Sequence, residues 1–314
     1  MSQQTKTYAL HIGLVALLFG LNFILPAYHH GMFARVMVMA TFAIGFNVML
    51  GYSGLLSLGH AMFFAAGMYG LALSIRYFGF GVGPAFLVAL ASGAVLALVV
   101  GLLALRTAGV AFMIVTLMFA QSFYLSILLA GKWTRGDEGF VLQQAERVLW
   151  GIDLTLPQNR YLAALFLFAT CLFVTLALVR RPLGRVFVAI RENEERAKLL
   201  GYDVFRTKLM AVVISGTISA AAGAGYALLF GYAGATFATV QYSIFPLLWV
   251  LLGGVGTIIG PFLGALFMFY LIDISSGFTD AYMLIAGVVL VLLTLFAPQG
   301  IAGIIRAKLW RWLP

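Results

Sequence analysis

Between Tyr161 and Val179 nineteen consecutive residues carry no charge, and comparable runs recur along most of the 314-residue chain. A run of this kind has one economical destination. A helix of about 20 apolar residues crosses the ~30 Å hydrocarbon core of a bilayer with its backbone hydrogen bonds closed internally. Charged residues make up only 9% of the sequence against 63% apolar ones, which excludes an ordinary soluble domain. Strand alternation is lacking, which argues against a membrane β-barrel. The fold class that follows is all-α: a polytopic integral membrane protein embedded in the lipid bilayer as a single transmembrane domain, residues 1–314. Spans are expected at 8–25, 33–50, 55–75, 84–105, 110–130, 160–179, 208–231, 241–256, 258–275 and 279–297, about ten in all.

The 19 Lys and Arg residues against 10 Asp and Glu give a formal charge of +9. Nucleic acid is not the implied partner, because the positive charges sit at span ends and in one loop. That loop, 180–208, holds eight of the nineteen cations. An even number of spans puts both termini on its side, and thirteen of the nineteen then share one face. Positive-inside bias makes that face cytoplasmic. Lys6 precedes an apolar run from Tyr8 to Leu25 with no small-residue cleavage site after it, so this segment is expected to stay as the first span. Cys171 is the only cysteine, which rules out an intrachain disulfide.

Within the basic loop a short helix is legible. Asn193 is a natural N-cap, Glu194 and Glu195 favour the first turn, Lys198 the last, and Gly201 the left-handed stop. Charge alone leaves two readings, a topology anchor or a docking element. A second unusual stretch, Gly51-Tyr-Ser-Gly-Leu-Leu-Ser-Leu-Gly-His60, interrupts the second and third spans with three glycines and two serines. Non-helical backbone at membrane depth persists only inside protein or beside water, and its free polar groups suit a ligand pathway. Asn47, Gly51, Ser53, Gly54, Ser57 and Gly59 are therefore candidate pathway residues; close packing by small residues or a plain loop accounts for them equally well. His60 reads as a packing residue. On the opposite side, the loop 131–159 offers Arg135, Asp137 and Glu138 as exposed charges. Val141, Leu142, Ala145, Val148 and Leu149 fall on one helical face, which predicts a short interfacial helix. Gly256, Gly260 and Gly264 would share a helix face, with Pro261 bending or ending that helix; a turn followed by a packing face is favoured.

Equally informative is the chemistry that is missing. Acidic residues are confined to loops and span ends, so a proton- or sodium-driven carrier finds no midplane site. The sequence has no phosphate-binding Gly-x4-Gly-Lys-Ser/Thr loop, no His-Glu-x-x-His and no paired cysteines. Neither a fuel site nor a catalytic constellation is readable, and an enzyme is not expected.

Four stretches together carry a family resemblance. Asn47 through Gly51-Tyr-Ser-Gly-Leu-Leu-Ser-Leu-Gly-His60-Ala-Met-Phe-Phe resembles the signature of LivM-type permeases of branched-chain amino acid ABC importers. So do Arg106-Thr107 with Thr116 to Gln121, Arg191-Glu-Asn-Glu-Glu195-Arg-Ala with Lys198 to Gly201, and Phe296-Ala-Pro298-Gln-Gly300-Ile-Ala-Gly303. The third is similar to the Glu-Ala-Ala-x-x-x-Gly loop of importer permeases, although Arg196 replaces the middle Ala, the later Ile-x-Leu-Pro is absent, and Gly109 sits one place late in the second stretch. The resemblance implies a coupling helix that docks on an ATPase subunit, using Glu194, Glu195, Ala197, Leu200 and Gly201. It implies a homologous second permease, two ATP-binding subunits and an extracytoplasmic solute-binding protein meeting Arg135, Asp137 and Glu138. This chain would hold no cofactor of its own, ATP and Mg belonging to the partner subunits. The setting would be the bacterial cytoplasmic membrane, and the cargo leucine, isoleucine and valine. Urea or short-amide permeases of the same family, and a self-sufficient channel for a small neutral solute, remain the alternatives.

Overall fold

The computed structural model describes residues 3–296 and 299–308. The chain is built almost wholly of helices. It opens with α1 (Gln3–Leu21), α2 (Ala27–Asn47), α3 (Ala61–Phe78), α4 (Val82–Ala104), α5 (Val110–Leu129) and the single turn α6 (Gly131–Thr134). Three short strands follow, β1 (Phe140–Val141), β2 (Val148–Leu149) and β3 (Ile152–Asp153). Next come α7 (Pro157–Arg180), α8 (Pro182–Glu192), α9 (Glu194–Leu199) and α10 (Val204–Phe230), then β4 (Tyr232–Ala233). The described chain finishes with α11 (Val240–Gly253), α12 (Gly260–Ser276), α13 (Tyr282–Phe296) and α14 (Gly300–Lys308). Among the described residues six helical stretches are long and apolar enough to cross a membrane: 27–52, 61–78, 82–104, 110–129, 157–180 and 204–230. The other four expected spans fall on shorter apolar helices, at 5–21, 240–253, 260–276 and 284–293.

Helix α10 is the axis of the bundle, packed against α2, α3, α4 and α7. Its surface there is a run of Ala, Gly and Ser, which lets backbones meet. A Cβ on Gly67 of α3 would strike the carbonyl of Ala220, and one on Gly223 would strike the carbonyl of Phe64. The two glycines thus form a reciprocal seam that no larger residue fits. In contrast, α4 and α5 leave most of their apolar surface open on the single chain. Tyr161 on α7 donates to the carbonyl of Leu18 at 2.6 Å, and Arg180 lies 4.7 Å above the Tyr8 ring. These contacts hold α1 antiparallel to α7, with its start at the end of the bundle that carries α8 and α9.

Several local expectations are corrected. The first helix stops at Leu21 rather than 25. The basic loop holds two helices, because Pro182 at the first turn of α8 starts a helix before α9. Pro261 likewise starts α12, and Gly256 stands in the preceding turn with φ +74°, so only Gly260 and Gly264 share the helix. The turn followed by a packing face is what the chain forms: a Cβ on Gly264 would strike the Trp249 carbonyl. The expected interfacial helix at 141–149 does not form. Phe140–Val141 pairs antiparallel with Tyr232–Ala233, and Val148–Leu149 with Ile152–Asp153. Val141 is exposed and Leu142 buried, so the supposed apolar face is split.

The reason lies in Arg147. Its Nε donates to the carbonyl of Leu228 at 2.6 Å, and its Nη2 to that of Leu229. These are terminal carbonyls of α10, which have no partner within the helix. A buried arginine closing them satisfies both sides, and holding Arg147 inward precludes the helical face that would have turned it to solvent. Burial lowers the guanidinium's pKa, with Arg160 adding repulsion, but an arginine stays charged.

Candidate functional site

The basic end gathers residues that are far apart in sequence. Helix α2 runs on as a π turn over Val48–Tyr52, after which the backbone is irregular until α3. Several of its released polar groups are answered by protein. Asn47 sits at the last α-helical turn, nearly fully buried, and bridges to the turn between α11 and α12. Its Nδ2 donates to the Thr257 carbonyl at 2.8 Å, and its Oδ1 accepts from the Gly256 N–H at 3.0 Å. A Cβ on Gly51 would collide with Asn47 Oδ1 and come within 2.6 Å of the Gly256 nitrogen. Ser53 donates to the Met49 carbonyl at 2.6 Å, and Ser57 accepts from the Gly59 N–H at 3.1 Å. Gly59 lies against the carbonyl of Thr116, whose hydroxyl accepts from the Leu58 N–H at 3.3 Å. The Ser243 hydroxyl takes the Ala61 N–H at 2.9 Å. His60 is enclosed by Phe42, Phe46 and Phe63, with Nε2 3.1 Å from the Ser215 hydroxyl.

Of the six residues singled out in the break, Asn47, Gly51, Ser53, Ser57 and Gly59 are buried and Gly54 is exposed. Gly54 takes φ +73°, and a Cβ there would lie 2.8 Å from Cγ of Arg191. Arg191 closes α8, and its Nη1 donates to the Gly51 carbonyl. A residue of the basic loop therefore holds a carbonyl that the π turn leaves free. The sequence pointed to Arg191 only as part of a motif; its partner is set by tertiary packing.

Helix α9 follows within two residues. Asn193 caps it as expected, its Oδ1 accepting from the Arg196 N–H at 2.9 Å. At the other end the N–H of Gly201 bonds to the Lys198 carbonyl at 2.9 Å and that of Tyr202 to the Ala197 carbonyl at 3.2 Å. This pair is the Schellman pattern, and Gly201, with φ +86°, is its left-handed residue. Ala197 is buried against Ile190 and Val204, whereas Leu199 and Leu200 stand 88% and 69% exposed. Two leucines presented to water, at the last position and the C-cap of a six-residue helix, are unlike a mere charge anchor and suit a protein partner. Glu194 turns back to Lys208 on α10 at 2.5 Å and lies 3.5 Å from Lys198; Glu195 pairs with Lys198 at 2.8 Å. The Lys208 hydrogen bond foremost holds the Glu194 carboxyl below its ordinary pKa. Between the loop and the break lies a recess of about 390 Å³ bordered by Gly54, Thr107, Arg191, Glu194, Lys198 and Lys208.

At the opposite end Arg135, Asp137 and Glu138 are all exposed, on a loop bent by left-handed Arg135, Gly136 and Gly139. Trp133 and Trp150 also stand out into solvent, 63% and 92% exposed. Among the described residues no cluster of His, Cys, Asp and Glu is arranged to hold a metal ion. Gly300 comes close to Gly254, bringing part of the closing motif to the same basic end; Pro298 lies outside the described residues, and the side chains of the tail cations Arg306, Lys308 and Arg311 do too.

Comparison with known proteins gives one consistent answer. Residues 30–297 match the family described as "Branched-chain amino acid transport system / permease component". The chain is 31% identical over 296 residues to the high-affinity branched-chain amino acid transport system permease protein LivM of Escherichia coli (strain K12), covering 87% of this chain and 69% of that one. Identity and coverage are the same for LivM of Salmonella typhimurium. The autoinducer 2 import system permease protein LsrC of Enterobacter sp. (strain 638) is 31% identical over 245 residues, 75% of this chain and 68% of its own. No solved structure matches. With its membrane-length helices, its interrupted second span and a match across most of its length, this chain belongs to the permease component family of branched-chain amino acid transport systems.

Proposed function

We propose that this chain is the transmembrane permease subunit of an ABC importer that carries leucine, isoleucine, valine or closely related amino acids into the cytoplasm. The observation that carries the reading is the hydrogen bond from Arg191 to the Gly51 carbonyl. It ties the loop with the exposed Leu199 and Leu200 to the interruption in a membrane span. A helix docked on a moving ATPase thereby has a direct hold on the backbone at the inner end of the bundle, and a second hold on α10 through Glu194 and Lys208.

In this reading the basic end faces the cytoplasm, with both termini beside it. Two ATP-binding subunits supply ATP and Mg, and α9 is their docking helix. A homologous second permease completes the membrane complex, and the pathway runs between the two permeases. The loop bearing Arg135, Asp137 and Glu138 receives a solute-binding protein. The segment from Asn47 to Gly59 forms the inner gate. The cargo follows that of the two LivM relatives.

The test is reconstitution of the complete complex in liposomes with leucine. Uphill uptake that requires ATP, the ATPase subunits and the binding protein is the expected result. Downhill flux without nucleotide would make the chain a channel instead, and uptake of urea but not leucine would reassign the cargo.

A further inference from the structure

Arg35 lies in the ninth position of α2, about 12 Å along the span from its start at 1.5 Å per residue. It is the one cation on the buried central helix α2, yet it is exposed on the surface of the single chain. A guanidinium at such a depth does not rest against lipid without a strong reason. Among the described residues no carboxylate lies within salt-bridge distance of it. It lies over the face of Phe230, 5.3 Å from the ring centroid, and Arg160 faces the same ring at 5.8 Å. Asp273 on α12 is engaged elsewhere, accepting from Tyr28 Oη.

Beside Arg35 is a cavity of about 200 Å³. That is smaller than the ~300–1,000 Å³ of pockets for drug-sized ligands and on the scale of one small metabolite. Tyr226, Tyr242, Phe245 and Trp249 line it, linked through Phe237 and Phe230 into a continuous series of ring contacts. Met39, Met268, Phe269 and Ile272 complete the lining.

We propose that this cavity is a transit site for α-amino acids with apolar side chains, with the carboxylate held by Arg35. The guanidinium offers the paired N–H geometry that a carboxylate matches. The aromatic faces of Tyr226, Tyr242 and Trp249 suit an ammonium group without a fixed negative charge that would trap it. The thioether side chains of Met39 and Met268 adapt to differently branched hydrocarbon, so leucine, isoleucine and valine pass on one surface. A site with one charge and soft walls binds weakly enough to release, as a pathway requires. This assignment rests on the importer reading above.

The experiment uses the complete complex in liposomes and photo-leucine, the diazirine analogue of leucine, with cross-links mapped by mass spectrometry. Labelling is expected on Met39, Phe245 or Met268, competed by leucine but not by leucinamide, which lacks the carboxylate. Arg35→Met should cut both labelling and leucine uptake at least tenfold, while both permeases are still recovered in the complex. Arg35→Lys, which keeps the charge, should retain part of each. Labelling that persists in Arg35→Met, or that leucinamide competes equally, would overturn the assignment. Loss of the second permease from the Arg35→Met complex would also overturn it, placing Arg35 in a subunit contact. If the wild-type complex takes up leucine and none of these walls is labelled, the site is wrong and the importer reading stands. If the wild-type complex takes up no leucine, the importer reading itself fails.

Discussion

Gly201 isolates the effect of one backbone conformation on coupling. Its φ of +86° lies where residues with a Cβ are strained, and nothing stands within 4 Å of where that Cβ would be. The Cβ of Gly201→Val therefore meets no neighbour, and the left-handed backbone costs about 1–2 kcal/mol. Spread over a bundle of this size that does not unfold the protein. Concentrated on the exit of the six-residue α9, it depopulates the docking geometry about 5–30-fold. The assay is affinity of the purified ATPase subunit for the permease in nanodiscs, with substrate-stimulated ATP hydrolysis measured in parallel. Gly201→Val should weaken both by that factor and leave membrane insertion and thermal stability unchanged. Gly201→Asn should stay near wild type, since asparagine tolerates the left-handed region. Wild-type affinity in the valine variant would refute the argument, as would equal losses in the asparagine and valine variants.

Three further outcomes are expected. Gly54→Leu adds a side chain where a Cβ alone comes within 2.8 Å of Arg191 Cγ, at a left-handed φ; uptake should be abolished while the complex still co-purifies, and normal uptake would make the break a passive loop. In a Cys171→Ala background, an impermeant maleimide applied to sealed cells should label Arg135→Cys and spare Arg196→Cys; labelling of the second would invert the topology. The Glu194 carboxyl is held below its ordinary value of 4.5, so its tie to Lys208 contributes fully above that pH and is lost as pH falls through the depressed value. ATPase affinity should accordingly drop in the acid range for the wild type, and Glu194→Gln should remove that step.

What the sequence revealed follows from which interactions are local. Spans were legible because roughly 20 apolar residues in a row have few other destinations. The cap at Asn193 and the stop at Gly201 were legible because each is decided by a few neighbouring residues. The break at 51–60 showed through its glycines, but its true partners did not: Thr116 and Arg191 reach it through folding alone, as Ser243 and Thr257 reach its flanks at Ala61 and Asn47. The loop at 141–149 was misread because its periodicity is helical while Arg147 answers to carbonyls eighty residues away. Helix α8 was missed although Pro182 signalled its start and Phe187 and Ile190 its buried side. Arg35 was visible only as another cation, since its cavity is assembled from α2, α10, α11 and α12.

Helix α10 is 27 residues long, about 40 Å, and is held at both tips: Arg147 clasps its last carbonyls and Glu194 tethers Lys208 in its second turn. Between those holds, Ala220 and Gly223 bear directly on the backbone of α3, with no side chain to yield. This is the arrangement of a lever on a hard fulcrum. Ala220 stands sixteen residues from the start of α10 and ten from its end, so the arms are unequal. A tilt of a rigid α10 about that contact would appear at α9 reversed and enlarged, and a stroke at α9 would reach the 131–156 loop reduced.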